Sequence, residues 1–148
     1  YYYHPLEVAM LTTDYFQDTE TIIAALLHDI VEDTKFSLFQ VEMLFGRAVA
    51  SLVDCLSNLD SQMQRISLSK EESLHKLMQL QPEDKRVLTV KLLDRLHNMR
   101  TLSYIKSIDK QKRIALTTLQ TFIPLAKYLG IKEIEIELRK IVTETLNN

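Results

Sequence analysis

The sequence predicts an all-α fold, on three observations. Only two glycines and three prolines occur in 148 residues. Leu, Glu, Lys and Gln, which all favour helix, are plentiful. No stretch alternates apolar with polar residues as a half-buried strand does, and no internal repeat is visible.

The helices can be placed in order from their start and stop signals. Pro5 suits the first turn of a short helix, Pro5 to Leu11, with His4 in its N-cap region. Asp18 or Thr19 can cap a second helix that runs to about Asp33. Ser37, with Gln40 three residues on, forms a capping box for a third, and Gly46 can end it. Residues 47 to 58 make a fourth. The polar stretch Asp60 to Ser69 reads as a loop, and a short helix fits Lys70 to Leu80. Pro82 then starts a long helix, roughly Glu83 to Tyr104. Two more fit 109 to 128 and 132 to 146, with Gly130 between them. The short connections predict a helical bundle with antiparallel neighbours.

Composition excludes several function classes. Hydrophobic residues make up 46% and charged residues 26%, as in ordinary soluble domains, and the length suits one domain with a sizeable core. A net charge of -2 gives no support for a nucleic-acid groove or an anionic membrane surface. A single cysteine, Cys55, rules out an internal disulfide framework and fits a reducing cytoplasm. No apolar run approaches the ~20 residues of a membrane span, and no signal peptide is visible. The expectation is a cytoplasmic protein with no nucleic-acid or membrane partner; oligomeric state stays open. The chain opens at Tyr1 with no initiator Met, which fits a fragment.

One short segment poses a chemical question. Residues 28 to 33 read HDIVED, so three carboxylates and an imidazole close a segment that begins as an apolar helix. At roughly 100° per residue, with His28 at zero, Glu32 falls near ~40°, Asp29 near ~100° and Asp33 near ~140°. Ile23, Leu26, Leu27 and Ile30 fall on the other side. Such a face is either solvated or turned to a ligand. Adjacent imidazole and carboxylate groups can both reach one metal ion, since both offer lone pairs to borderline or hard cations. A second polar stripe lies in KLLDRLHNMRTL, Lys91 to Leu102. Leu88, Leu92, Leu96 and Met99 form a core stripe there. Asp94, Asn98 and Thr101 fall within a ~60° stripe away from it. That edge suits water or a ligand with hydroxyls and phosphates.

His4, then His28-Asp29, then Asp94 follow the H…HD…D order of the HD phosphohydrolase superfamily. The blocks HPLEVA, AALLHDIVEDT, FGRAVASLVD, VKLLDRLHNMRTL and PLAKYLGI resemble, in order and over almost the whole chain, the hydrolase domain of the RelA/SpoT family. The resemblance implies an HD-domain helical bundle that hydrolyses the alarmones ppGpp and pppGpp to GDP or GTP and pyrophosphate. It implies His4, His28, Asp29 and Asp94 as metal ligands and Mn²⁺ as the metal. Chemistry alone would equally allow Fe²⁺ or Zn²⁺. It further implies that Glu32 and Asp33 are the carboxylates acting on the attacking water, and that Asn98 and Thr101 contact the nucleotide.

Other residues keep two readings. His97 can orient a ligand or simply pack, and His75 matches nothing and reads as a surface residue. Arg95 and Arg100 can reach phosphates or pair with acidic groups on neighbouring helices. Tyr1 to Tyr3 can pack near the site or fray. Cys55 reads as a small buried hydrophobe.

The chain also departs from the family pattern. The helix and basic loop that precede the YY.HP segment in the family do not appear before Tyr1, and no synthetase segment follows Asn148. The family's DGVTKL stands here as Asp54-Cys55-Leu56-Ser57-Asn58-Leu59, and a usual Glu is Thr117. The expectation is a hydrolase domain over residues 1–148 without its first helix and loop, and without a synthetase domain. Two alternatives accompany it: a truncated or catalytically impaired regulatory module, and an HD phosphohydrolase acting on another nucleotide.

Overall fold

A computed structural model describes residues 3–67, 79, 82 and 84–148, with side chains from residue 64 to 67 left aside. The helix expected at Lys70 to Leu80, together with His75, Tyr1 and Tyr2, lies outside the described residues. Among the described residues there is no strand. The chain divides into two compact units, residues 1–62 with 81–93 and residues 63–80 with 94–148.

In the first unit, α1 spans His4–Thr12, with Tyr3 at its N-cap and Pro5 in its first turn. Helix α2, Thr19–Asp33, starts where Asp18 accepts from the Thr21 backbone N–H at 3.1 Å. Helix α3, Leu38–Phe45, opens on the expected capping box. Gln40 N–H donates to Ser37 Oγ at 3.2 Å, and Ser37 N–H donates to Gln40 Oε1 at 2.8 Å. Gly46 ends it at φ 94°, a backbone conformation that L side chains rarely adopt. Helices α1 and α2 pack against each other.

Helix α4 spans Arg47–Ser67 and corrects the expectation of a helix ending at 58 and a loop from Asp60. The reason is periodicity. Val49, Leu52, Val53, Leu56, Leu59 and Met63 recur at spacings of three and four and are all buried. Of the polar residues that follow Leu59, Asp60 is buried while Ser61 and Gln62 are exposed on the outer side of the continuing helix.

Helix α5 spans Arg86–Arg100, shorter at both ends than the expected Glu83 to Tyr104. Asp84 Oδ1 accepts from the Arg86 backbone N–H at 3.0 Å and so caps the start. At the other end Thr101 leaves the helical region, and Leu102–Tyr104 form a 3₁₀ turn. Leu88, Leu92, Leu96 and Met99 are buried, as the core stripe required.

In the second unit, residues 108–128 are helical as expected but change form midway. Helix α6 spans Ile108–Thr117, a π turn spans Thr118–Phe122, and α7 spans Ile123–Tyr128. Pro124 has no N–H to continue an α ladder, and the widened turn, closed by Ile123 N–H on Thr118 O, accommodates it. Gly130, at φ 73°, then ends α7. Ile131 N–H reaches Ala126 O at 3.0 Å, and Gly130 N–H reaches Lys127 O at 3.1 Å, the paired bonds of a Schellman cap. Helix α8, Lys132–Leu146, follows and packs on α6, the π turn and α7.

One ion cluster ties the start of α2 to the start of α5. Arg86 Nη1 lies 2.6 Å from Asp18 Oδ2, and Nη2 lies 2.6 Å from Asp84 Oδ2. Hydrogen bonding from Thr21, then the Arg86 charge, holds the Asp18 carboxyl below its ordinary range; hydrogen bonding from Arg86 does the same for Asp84. A carboxyl whose folded-state pKa is lowered stabilises the fold above its unfolded pKa and loses that contribution as pH falls through the lowered value. Unfolding stability should therefore decline as pH drops below about 4. In Arg86→Met that decline should flatten, because the depression of both carboxyls is weakened. Urea unfolding between pH 6 and pH 2.5 measures both; an unchanged pH slope in Arg86→Met removes this role.

Candidate metal centre

His4 is the first residue of α1 and is 1% exposed. It shares a face with Val8 and Thr12, one and two turns on, and all three are buried. Helix α2 packs on α1 and buries several small residues. Thr21, Ala24, Ala25 and His28 recur at three- and four-residue spacing and are buried. The His28 face of α2 is buried and so is Leu27, while Ile23, Leu26 and Ile30 are only half-buried. The small side chains at 21, 24 and 25 permit close helix packing, and that outweighs the bulk of the isoleucines.

Asp29 lies beside both histidines. Its Oδ1 is 3.1 Å from His28 Nε2, and its Oδ2 is 4.0 Å from His4 Nε2. His28 Nδ1 lies 2.9 Å from Ala25 O. A carbonyl only accepts, so Nδ1 carries a hydrogen and Nε2 is the ring nitrogen that faces Asp29. Asp94 follows Leu93 in the unbroken helix α5 and is buried. His4, Asp29 and Asp94 each offer a ligand atom, all within 4.8 Å of one another. His28 stands outside that group of three and borders it through Asp29.

Whether these residues fit a cation is decided by Asp29 Oδ2, which is buried and has no hydrogen-bond partner. Leaving such an oxygen unmatched costs about 1–3 kcal/mol, and more for a charged group. The 4.0 Å gap to His4 Nε2 is too long for a hydrogen bond. It is close to the largest separation, about 4.2 Å, of two donors each ~2.1 Å from one ion. Imidazole nitrogen and carboxylate oxygen together are a donor set for divalent first-row metals. The residues fit.

Glu32 and Asp33 close α2 and are exposed. Desolvation, repulsion from Asp60 and a hydrogen bond with Asp60 push the Glu32 carboxyl above its ordinary range, with Asp29 adding to this and His28 opposing it. Asp60 and Lys91 are therefore part of this neighbourhood, with Lys91 Nζ 2.5 Å from Asp60 Oδ1. Sequence reasoning missed both. Asp60 falls in the stretch read as a loop. Lys91 carried a signal, since it precedes Asp94 by one turn of α5.

Asn98 and Thr101 are half-buried. The Asn98 amide makes no hydrogen bond among the described residues, whereas Thr101 Oγ1 donates back to His97 O at 3.1 Å. His97 is half-buried. Arg100 is held bidentately by Glu137, at 2.7 and 2.9 Å, and so serves α8. The Arg95 guanidinium lies 4.3 Å from the Phe122 ring centroid and lines a shallow pocket of about 320 Å³ with Lys110 and Arg113. Tyr3 is exposed. Cys55 is half-buried, not the buried hydrophobe expected, and lines a polar pocket with Asp54 and Asn58. No helix among the described residues is long and apolar enough to cross a membrane.

A family model described as "HD domain" matches residues 1–132. The chain belongs to the HD-domain family. Proteins of the RelA/SpoT type are among the relatives that match. This HD domain is 42% identical, over 99% of its length, to a bifunctional (p)ppGpp synthase/hydrolase SpoT of Escherichia coli K12. The same identity relates it to a guanosine-3′,5′-bis(diphosphate) 3′-pyrophosphohydrolase of Escherichia coli O157:H7 and to a GTP pyrophosphokinase rsh of Brucella ovis. The chain spans about a fifth of the length of these relatives, 21%, 21% and 20% respectively.

A cation held by this HD domain should raise its stability. At 100 times Kd the gain is about 2.7 kcal/mol, or roughly 5–10 °C in Tm for a chain of this size. Asp29→Ala and Asp94→Ala should each abolish the Mn²⁺-dependent rise, and EDTA should reverse it in the parent protein. Thermal scans with and without the ion decide this; a full rise in Asp29→Ala would sink the centre.

Proposed function

We propose that this HD domain hydrolyses the 3′-pyrophosphate of ppGpp and pppGpp, giving GDP or GTP and pyrophosphate. Its ion is Mn²⁺, held by His4, His28, Asp29 and Asp94, and residues 1–148 act as one HD-type hydrolase domain. The observation that carries the reading is the meeting of His4, Asp29 and Asp94 ligand atoms, drawn from distant parts of the sequence, around an unmatched carboxylate oxygen. The names of the relatives supply the substrate. The choice of Mn²⁺ rests on the family resemblance, since the donor set also suits Fe²⁺ and Zn²⁺.

A divalent ion bound there supplies Lewis acidity toward a phosphoryl oxygen and lowers the pKa of water. The chain's own side chains do the rest. Water must lose a proton as it attacks phosphorus, and the ribose 3′-oxygen must gain one as its bond to phosphorus breaks. Glu32, whose carboxyl is held above its ordinary range, is suited to exchange protons nearer neutral pH than an ordinary glutamate. Asp33, exposed beside it, can pass protons to solvent. Asp94 anchors the ion end of α5, and Asn98, one turn along, presents an amide that can donate and accept. Thr101 spends its proton on the His97 carbonyl, so its hydroxyl oxygen is left to accept from a ribose hydroxyl.

Purified protein with Mn²⁺ should release pyrophosphate from ppGpp, leave GDP and GTP intact, and stop on addition of EDTA. No release from folded, metal-loaded protein would favour a regulatory module. Comparable turnover of an ordinary nucleoside triphosphate would favour a broader HD phosphohydrolase.

The roles of the carboxylates separate in mutants. Asp29→Ala should lose ion binding and turnover together. Glu32→Ala should bind the ion normally and turn over ~10²–10⁴-fold more slowly, the usual size of a general acid–base contribution. Unchanged kcat in Glu32→Ala would show that its assigned role is wrong while leaving the centre intact.

A further inference from the structure

Three cationic side chains with no role in the proposed centre line one pocket. Arg95 of α5 and Lys110 and Arg113 of α6 surround it with Ile114 and Thr117, and its volume is about 320 Å³. Lys110, Arg113, Ile114 and Thr117 recur at three- and four-residue spacing, so they share one face of α6. No carboxylate is among these lining residues, although the chain as a whole has a net charge of -2.

Several other arginines are met by acids. Arg86 is held by Asp18 and Asp84, Arg100 by Glu137 and Arg139 by Glu135. Neither Lys110 nor Arg113 forms a salt bridge among the described residues. Arg95 is half-buried, and its guanidinium lies 4.3 Å from the centroid of the buried Phe122 ring. A cation over a ring face is attracted by the ring's quadrupole and loses freedom to swing away.

Thr117 gives the pocket its particular character. It stands where the family pattern described above usually has a glutamate. A glutamate at this position would set a carboxylate in a pocket lined by Arg95, Lys110 and Arg113. The threonine brings no charge, and its Oγ1 donates to Arg113 O at 3.1 Å. Position 117 therefore offers the three cations no internal acid, and the pocket is open to an external one.

We propose that this pocket binds a phosphate-bearing anion through a diphosphate group that meets the three cations. A singly charged ion gains little from exposed ion pairs, which water and salt screen. A diphosphate meets several cations at once, and a guanidinium can hold two of its oxygens through parallel N–H bonds. The site is independent of the phosphohydrolase reading, since none of the proposed ion ligands or nucleotide contacts lines the pocket.

Calorimetric titration of the purified protein with sodium pyrophosphate tests this. EDTA is present throughout, so that no metal ion can hold the anion. Ionic strength is set at about 0.15 M, where the Debye length is about 8 Å and diffuse attraction is screened. The parent protein should bind pyrophosphate. Lys110→Gln combined with Arg113→Gln, both at exposed positions, should weaken binding by about ten-fold or more, the loss of charge-assisted contacts. Thr117→Glu should weaken it by a similar factor, because its own carboxylate then occupies the pocket. The same carboxylate should raise the Tm of the anion-free protein by about 2–4 °C. No binding by the parent protein overturns the inference, and so does parent-like binding in either variant. Sulfate bound as tightly as pyrophosphate would show general attraction of anions and would also overturn it. Titration with ADP identifies the source of the diphosphate. Affinity equal to or above that for pyrophosphate supports a nucleotide-borne group, and weaker affinity supports the free ion.

Discussion

Asp29 Oδ2 is a carboxylate oxygen enclosed by protein and given no hydrogen-bond donor, although imidazoles stand on both sides of its side chain. Packing alone would not select this arrangement. An aspartate one turn from a helix end can usually reach water, and an enclosed one is usually met by N–H groups. Here the surroundings are His4 at the start of α1, His28 on the buried face of α2 and Asp94 on α5, and each of the three is itself buried. Holding those groups together requires α1 to pack closely on α2. The small residues Thr21, Ala24 and Ala25 on the buried side of α2 permit close packing. The half-buried isoleucines on the far side of α2 follow from the same requirement. A helix turned to bury them would carry His28 and Asp29 away from His4.

Much of the fold was legible because its boundaries are set by local chemistry. Ser37 with Gln40, Asp18, Gly46 and Gly130 mark helix ends through bonds that involve only near neighbours in sequence, and the structure uses all of them. The length of α4 was not read correctly because a cluster of polar residues was weighed above apolar periodicity. Leu59 and Met63 extend the stripe begun at Val49, and a helix tolerates any number of polar residues on its other faces. The π turn at Thr118–Phe122 was out of reach for another reason. Pro124 signalled an interruption, but whether a helix kinks, stops or widens there depends on packing against α6 and α8.

The candidate site was legible in its residue types and less so in its directions. His4, Asp29 and Asp94 offer ligand atoms within 4.8 Å of one another, while His28 borders them through Asp29. Helical angles placed all four ionisable groups of HDIVED on one polar face. The structure instead divides them by depth: His28 is buried, Asp29 is half-buried, and Glu32 and Asp33 are exposed. An angle around a helix says nothing of how far along its axis the neighbouring helices extend. Asp60 and Lys91 illustrate the limit more sharply. Their contact joins α4 to α5, and no spacing rule relates residues on different helices.

Helix α5 shows how a single rigid element can serve several of these demands. Its buried stripe of Leu88, Leu92, Leu96 and Met99 fixes its rotation about its own axis. That rotation cannot drift without exposing leucine or burying charge. Once it is fixed, Lys91 faces Asp60, Asp94 joins His4 and Asp29, and Asn98 lies one turn further along. Because the rise is about 1.5 Å per residue, the step from Asp94 to Asn98 is about 6 Å along the helix axis. Core leucines far from any chemistry thus set the spacing between the proposed ion and the proposed nucleotide contact. A core change that rotates α5 would misplace the ligand and the contact together, even though it touches neither.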